Sequence, residues 1–434
     1  MAASKLPASV RAFKHRNYQL FFGGQLISVC GTWMQSVAQS WLVYRLTGSA
    51  ALLGLVNFAN LIPVFLLSPL GGAVADRGSR HRILIVTQII SMLLAFVLAG
   101  LTLTGRIHVW HLFVLASLVG INYAFYVPAQ SAFVVDMVGK DDLMNAIALN
   151  SSMVNGARII GPAIAGLLVA AIGEGWCFFL NGVSYLAVIG GLLLMDITPH
   201  RKVSLSGSPL KHVVEGFVFV SRTGPVRELL LLLGAVSLFG APYAVLMPIF
   251  SDQVLHHGAG ALGLLMGATG VGALGGAASL AARKQLRGLG RWVALATAAF
   301  GVSLILFALS HSFWLSAALL VPVGYAMMIE MAASNTLIQA MVPDSLRGRV
   351  MAVYSMMFMG MAPIGALIAG SLAQRLGAPH TVMIGGAICI VSAAVFALRL
   401  PRLREEGRNL IIAMQMTAAS PGDEINEASV LPAD

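Results

Sequence analysis

Val138 to Gly173 reads VGKDDLMNAIALNSSMVNGARIIGPAIAGLLVAAIG. After its charged start the stretch is apolar and rich in small residues, with one charge, Arg158, near the middle and Gly161-Pro162 and Gly166 following. It recurs 204 residues later: Val342 to Gly377 reads VPDSLRGRVMAVYSMMFMGMAPIGALIAGSLAQRLG, and 12 of the 36 positions match without a gap. Gly156/Gly360, Gly161/Gly365 and Gly166/Gly370 are among the matches. The same spacing links Trp110 to Trp314 and Gly120 to Gly324, and aligns Gly71-Gly72-Ala73 with Gly275-Gly276-Ala277. Half of the chain therefore repeats the other half in the same direction. A parallel repeat inside a membrane protein points to a transporter.

The solvent is lipid. The 434 residues are 58% hydrophobic and 10% charged, against about 25% charged in soluble domains. A chain so poor in charge cannot cover its own surface with polar groups. Its basic balance, +10 at neutral pH, does not call for nucleic acid, because the basic residues cluster at the ends of apolar runs. Cys30, Cys177 and Cys389 stand far apart in apolar segments, with no metal spacing and no implied disulfide. No metal or other cofactor is expected. No cleavable leader is expected either, since the first apolar run is too long for one.

Twelve runs reach the roughly 20 residues that a spanning helix needs. They lie near 18–44, 50–75, 83–104, 109–136, 143–172 and 176–196, then near 227–251, 261–282, 292–310, 313–340, 347–374 and 380–398. Placing the N-terminus in the cytoplasm puts 23 basic residues inside and three, Arg45, Arg106 and Arg375, outside. That bias predicts that both termini are cytoplasmic. The expected fold is an all-α membrane protein, twelve transmembrane helices in two pseudo-symmetric six-helix bundles. The expected organisation is a cytoplasmic N-terminus (1–16), an N-terminal bundle (17–198), a cytoplasmic linker (199–226), a C-terminal bundle (227–400) and a partly disordered tail (401–434). Within the linker, Leu210–Ser221 reads as a short helix lying on the inner surface.

Polar groups inside spans mark candidate function. Gln25, Ser28, Thr32, Gln35 and Gln39 recur at spacings of three and four, so they share one helix face. That face either lines a cavity or bonds to neighbouring helices. In the fourth span Asn122, Tyr126 and Gln130 lie four apart; 204 residues on stand Ala326, Glu330 and Ser334. Tyr243 of the seventh span joins Gln25, Thr32, Gln35, Asn122, Tyr126, Gln130 and Ser334 as a candidate cavity residue.

The connection between the second and third spans is Gly72-Ala73-Val74-Ala75-Asp76-Arg77-Gly78-Ser79-Arg80-His81-Arg82. Its arginines can pair with a carboxylate, and Asp136 is the nearest candidate by topology. This stretch resembles the signature loop of the major facilitator superfamily, G-x-x-x-D-R-x-G-R-R. Gly72, Asp76, Arg77, Arg80 and Arg82 match or nearly match, and Ser79 stands where the family tends to place its second glycine. The resemblance implies a latch for the inner gate. Ala157–Gly166 is similar to the superfamily's antiporter motif in the fifth span, with alanine at three of the small positions. It implies close packing of the two halves through Gly161, Pro162, Gly166, Gly365 and Gly370, and export. The nearest-looking branch is enterobactin-exporter-like and macrolide-efflux-like, on the pattern Asp136, Ala-Leu-Asn150, Arg158-Ile159-Ile160-Gly-Pro and Val-Pro-Asp344-Ser-Leu-Arg347-Gly-Arg349.

Arg158 and Glu330 each fall near mid-membrane. Arginine keeps its charge in a protein, while a carboxylate can take up a proton. The pair is a buried ion pair, or Glu330 carries a proton, or Glu330 meets a cationic substrate. The expectation is not an enzyme but a secondary transporter of the bacterial inner membrane, monomeric, driven by protons, exporting a small amphipathic drug or siderophore. Importer, facilitator and membrane-embedded enzyme are the alternatives. The last would need a catalytic constellation, and no HExxH-like spacing accompanies the histidines.

Overall fold

The computed structural model describes residues 8–196, 209–283 and 288–419. Among them lie twelve long helices and no strand. In the N-terminal half they are α1 (Arg16–Thr47), α2 (Ala50–Arg77), α3 (Arg80–Leu103), α4 (Val109–Val138), α5 (Leu143–Ile172) and α6 (Glu174–Leu193). In the C-terminal half they are α7 (Gly224–Val254), α8 (Gly258–Ala281), α9 (Leu289–Leu309), α10 (Phe313–Met341), α11 (Leu346–Leu376) and α12 (Ala378–Ala419). Eleven are long and apolar enough to cross a membrane. The other is α1, whose polar face dilutes its apolar character. Its 32 residues are nonetheless about 48 Å of helix.

Local chemistry sets the turns. Gly48 ends α1 at φ 59°, a left-handed conformation that glycine adopts freely. Ser49 then caps α2, its side chain accepting from the Leu52 amide. Ser79 caps α3 in the same way through the Arg82 amide. The segment Gly72–Arg77 is thus the last turn and a half of α2, and the connection itself is only Gly78-Ser79.

The buried apolar side chains divide by depth. One cluster takes residues from both halves at the end away from the chain termini, including Val37, Leu42 and Leu53 with Phe250, Leu262 and Phe307. At the termini end there are two clusters, one per half. Tyr18, Phe21, Phe133 and Leu192 form the first, and Leu229, Leu289, Ile338 and Phe396 the second. The halves are therefore joined at the far end and separate at the termini end. Met144, Ile147 and Val154 of α5 are exposed there.

The repeat holds with one change of register. Gly120 packs on the Asn60 carbonyl and Gly324 on that of Thr269. Gly54 packs on Ala366 and Gly370, as Gly263 packs on Pro162 and Gly166. In α2 and α8 the equivalent residues are thus 209 apart, not 204. The identity of Gly71-Gly72-Ala73 with Gly275-Gly276-Ala277 is a recurrence of small residues about one turn out of register.

Two stretches depart from the expected outline. Helix α12 continues through Pro401 to Ala419 instead of stopping near 398; Leu403 is buried, and Arg402 pairs with Glu406 one turn on. The linker helix spans Pro209–Arg222 and is held to α11 by Glu215 and Arg349 at 2.7 Å, with Gly216 against the Arg349 carbonyl. It is seated on the protein, against α11. Lys5, residues 199–208, Lys284, Arg287 and the 420–434 part of the tail lie outside the described residues.

Helix α7 is the least regular. Widened turns at Val236–Gly240 and Phe250–Val254 flank a tighter one at Ala241–Leu246, around Pro242 and Pro248. Helix α11 has a widened turn at Met356–Gly360. Such turns interrupt the backbone ladder and often mark functional places.

Candidate functional site

At the termini end, Arg80 Nη1 meets both oxygens of Asp136, at 2.9 and 3.1 Å, and the Ala132 carbonyl at 3.3 Å. This clamps α3 to α4 inside one half. Asp76, Arg77 and Arg82 are exposed, and none of their side chains bonds to a described residue. Gly72 faces open space; the close approach is made one residue earlier, where Gly71 lies on the Ala124 carbonyl of α4.

The sequence reading missed the neighbouring charge cluster. Asp142, at the start of α5, accepts from Lys14 at 2.6 Å, His15 at 2.8 Å and Arg11 at 2.7 Å. These contacts, Lys14 foremost, hold its carboxyl well below the usual carboxylate range. The N-terminal turn Ala8–Lys14 is thereby fastened to the α4–α5 corner, with Asn145 accepting from the Ala12 amide.

Deeper in the N-terminal half the polar stripe of α1 is largely bonded within the bundle. Gln25 donates to the Tyr126 hydroxyl on α4. Gln35 accepts from Asn181 on α6 at 2.7 Å, and Thr32, exposed, bonds the Ser28 carbonyl. Asn122 is turned to α3, donating to the Thr87 carbonyl at 2.9 Å and the Ser91 hydroxyl at 2.8 Å. Gln130 is half-buried. A polar stripe shows that a face avoids lipid, without showing whether protein or water meets it.

In the C-terminal half, Tyr243 is buried against Phe300. Glu330 is 1% exposed, and its Oε1 has no hydrogen-bond partner; Ser334, one turn on, is equally buried and its hydroxyl is unpartnered. Arg158 does not pair with Glu330. Its guanidinium lies 5.6 Å from the ring of Trp33 on α1, a cation–π contact that keeps the charge in the N-terminal half. A buried carboxylate and a separate, half-buried cation thus sit in different halves.

The repeated glycines have two distinct jobs. A Cβ on Gly161 would fall 2.6 Å from Trp33 and 2.8 Å from the Cys30 carbonyl, and one on Gly365 would fall against the Leu238 carbonyl. Both contacts lie inside a half, α5 on α1 and α11 on α7. A Cβ on Gly166 would lie 2.8 Å from the Gly260 carbonyl, and one on Gly370 would lie 2.6 Å from that of Ala50. Those contacts cross between halves, α5 on α8 and α11 on α2. Pro162 belongs to the same crossing, its carbonyl facing Gly263.

Hydrogen bonds reinforce the far end. Tyr44 on α1 donates to Asp252 on α7 at 2.6 Å, and Ser49 donates to Gln374 on α11 at 2.9 Å. Nothing in the sequence marks these residues, which stand at span ends where polar groups are ordinary.

Two helical bundles related by a parallel repeat, crossing through paired glycines and open at one end, define a membrane transporter of the major facilitator superfamily. The chain belongs to the family described as transmembrane secretion effector, whose model matches residues 8–422. It is 28% identical over 400 residues to the staphyloferrin A transporter of Staphylococcus aureus (strain NCTC 8325 / PS 47), covering 90% of this chain and 98% of that protein. It is 27% identical to the multidrug efflux pump Tap of Mycolicibacterium fortuitum, covering 88% and 94%. Its fold is similar to the crystal structure of the nucleoside transporter NupG, with a TM-score of 0.68 at 14% identity over 89% of this chain and 98% of that one.

Proposed function

We propose that this protein exports a small amphipathic molecule, a siderophore or a drug, across a bacterial inner membrane by alternating access, with protons entering as the molecule leaves. The relatives that span nearly its whole length are named for a siderophore and for multidrug efflux. With both termini cytoplasmic, as the basic residues imply, the open end faces the cytoplasm and the closed end faces outward. The molecule enters between the halves from inside, past Thr32, Tyr126 and Gln130, with Arg158 above. The Arg80–Asp136 clamp, with Asp76 and Arg77, takes part in closing that side when the cycle turns.

The observation that carries the proton coupling is the isolation of Glu330. Among the described residues it is buried with no ion-pair partner, and the mid-membrane cation Arg158 is held elsewhere by Trp33. A carboxylate at that depth with no cation beside it can bind and release a proton, which is what a proton carrier must do. The test is transport in inverted vesicles by Glu330→Gln, which fixes the neutral state. Uptake driven by a pH gradient should fall to background while substrate counterflow persists. Full pH-driven uptake by a stable Glu330→Gln protein would remove the proton role.

A further inference from the structure

A groove runs along the outer surface of the N-terminal half, between α3 and α4. Its free volume is about 530 Å³. Val86, Ile90 and Leu94 of α3 form one wall, Leu118 and Ile121 of α4 the other, and Arg82 closes its termini end. Val86 is 54% exposed, Ile90 40% and Leu118 42%. Helix α3 packs on α4 and α6, so the groove opens away from the space between the halves and toward lipid.

Three features choose an occupant. The first is chemistry: apart from the arginine at its end, the groove is walled mainly by aliphatic side chains with Phe125, and its two polar neighbours, Thr87 and Asn122, are bonded within the bundle, so the lining suits an acyl chain. The second is length. Arg82 to Leu94 is twelve residues, about 18 Å of helix, and one leaflet's share of the hydrocarbon core is roughly 15 Å. A chain lying there would begin at headgroup level and end near the midplane. The third is charge. Arg80 is occupied by Asp136, whereas Arg82, two residues on, is exposed and its side chain bonds to no described residue. A free guanidinium at headgroup depth attracts an anionic lipid and can hold its phosphate by two hydrogen bonds.

We propose that the α3–α4 groove is a site for one anionic phospholipid of the leaflet at the termini end, its phosphate on Arg82 and an acyl chain between Ile90 and Ile121. The site is independent of the export reading. It gives Arg82 a part separate from the clamp formed by Arg80.

Native mass spectrometry of the full chain, released from nanodiscs of equal phosphatidylglycerol, phosphatidylethanolamine and phosphatidylcholine, tests it. The wild type should retain one phosphatidylglycerol in preference to the other two. Arg82→Gln should lower that preference about tenfold, and Arg82→Lys should restore most of it. Ile90→Trp, which fills the groove, should lower retention of all three lipids. Arg77→Gln, an exposed arginine outside the groove, should leave the lipid preference as in the wild type, whatever it does to transport. Unchanged preference in a folded Arg82→Gln protein, or equal loss in Arg77→Gln, would overturn the site. So would equal retention of phosphatidylethanolamine and phosphatidylglycerol by the wild type.

Discussion

Tyr44 on α1 donates its hydroxyl proton to Asp252 on α7 across 2.6 Å, joining the two halves at the end where they are closed. The bond must break whenever that end opens. A hydrogen bond to a charged group contributes about 1.5–3 kcal/mol, which is a ten- to hundredfold weight on the closed form. Tyr44→Phe keeps the ring against Trp41 and removes only the bond. It should shift the population toward far-end-open molecules by at least several-fold. Spin-label distances between α1 and α7 at that end would read the shift, and an unchanged distance distribution would mean that the apolar cluster alone holds the closure.

The glycines separate fold from gating. Gly161→Leu and Gly365→Leu place side chains into the backbone of the same half. Each should lower the thermal stability of the purified protein together with its transport. Gly166→Leu and Gly370→Leu push the halves apart where they cross. These two should fold but lose far-end closure and most transport. Leu167, 65% exposed, is the control, and Leu167→Ile should be neutral. Equal stability loss at Gly161 and Gly166 would contradict the division.

Part of this was legible in the sequence, for a physical reason. Gly161, Gly166, Gly365 and Gly370 cannot carry a side chain where two backbones meet, so the repeat preserves them and reveals the two-bundle fold. The same small residues mislead in α2. Gly71 and Gly275 share a sequence register, while the contacts of Gly54 and Gly263 set a different one. The polar face of α1 was readable as a face that avoids lipid. Its bonds were not, because Gln25 and Gln35 find Tyr126 and Asn181 on helices that are distant in sequence. Tyr44 and Asp252 left no trace, since a polar residue at a span end needs no special explanation.

The Asp142 cluster predicts a pH dependence. Its carboxyl is held below its ordinary value, so its stabilising contribution is fully present above the unfolded value, about 3.9. That contribution is lost as pH falls through the lower folded value. Asp142→Asn should unfold at a lower temperature than wild type at pH 7. The gap should narrow only below about pH 4, as the wild-type carboxylate protonates. A gap that closes between pH 7 and 5 would assign the effect to another group.

Asp76 is the sharper test of the clamp at the termini end. In the present conformation it is exposed and its side chain bonds to no described residue, so Asp76→Asn removes nothing from this state. Any contribution it makes belongs to the state in which the termini end is closed. The substitution should therefore leave thermal stability unchanged, enrich the conformation seen here and reduce turnover. Arg80→Ala differs, because it breaks the bond to Asp136 in this state too and should lower stability as well. The readout is thiol labelling of Ile147→Cys, which sits exposed on α5 inside the opening, in a background with Cys30, Cys177 and Cys389 replaced by serine. Asp76→Asn should label faster than the parent by about the factor by which turnover falls. Equal labelling with normal transport would place Asp76 outside the gate.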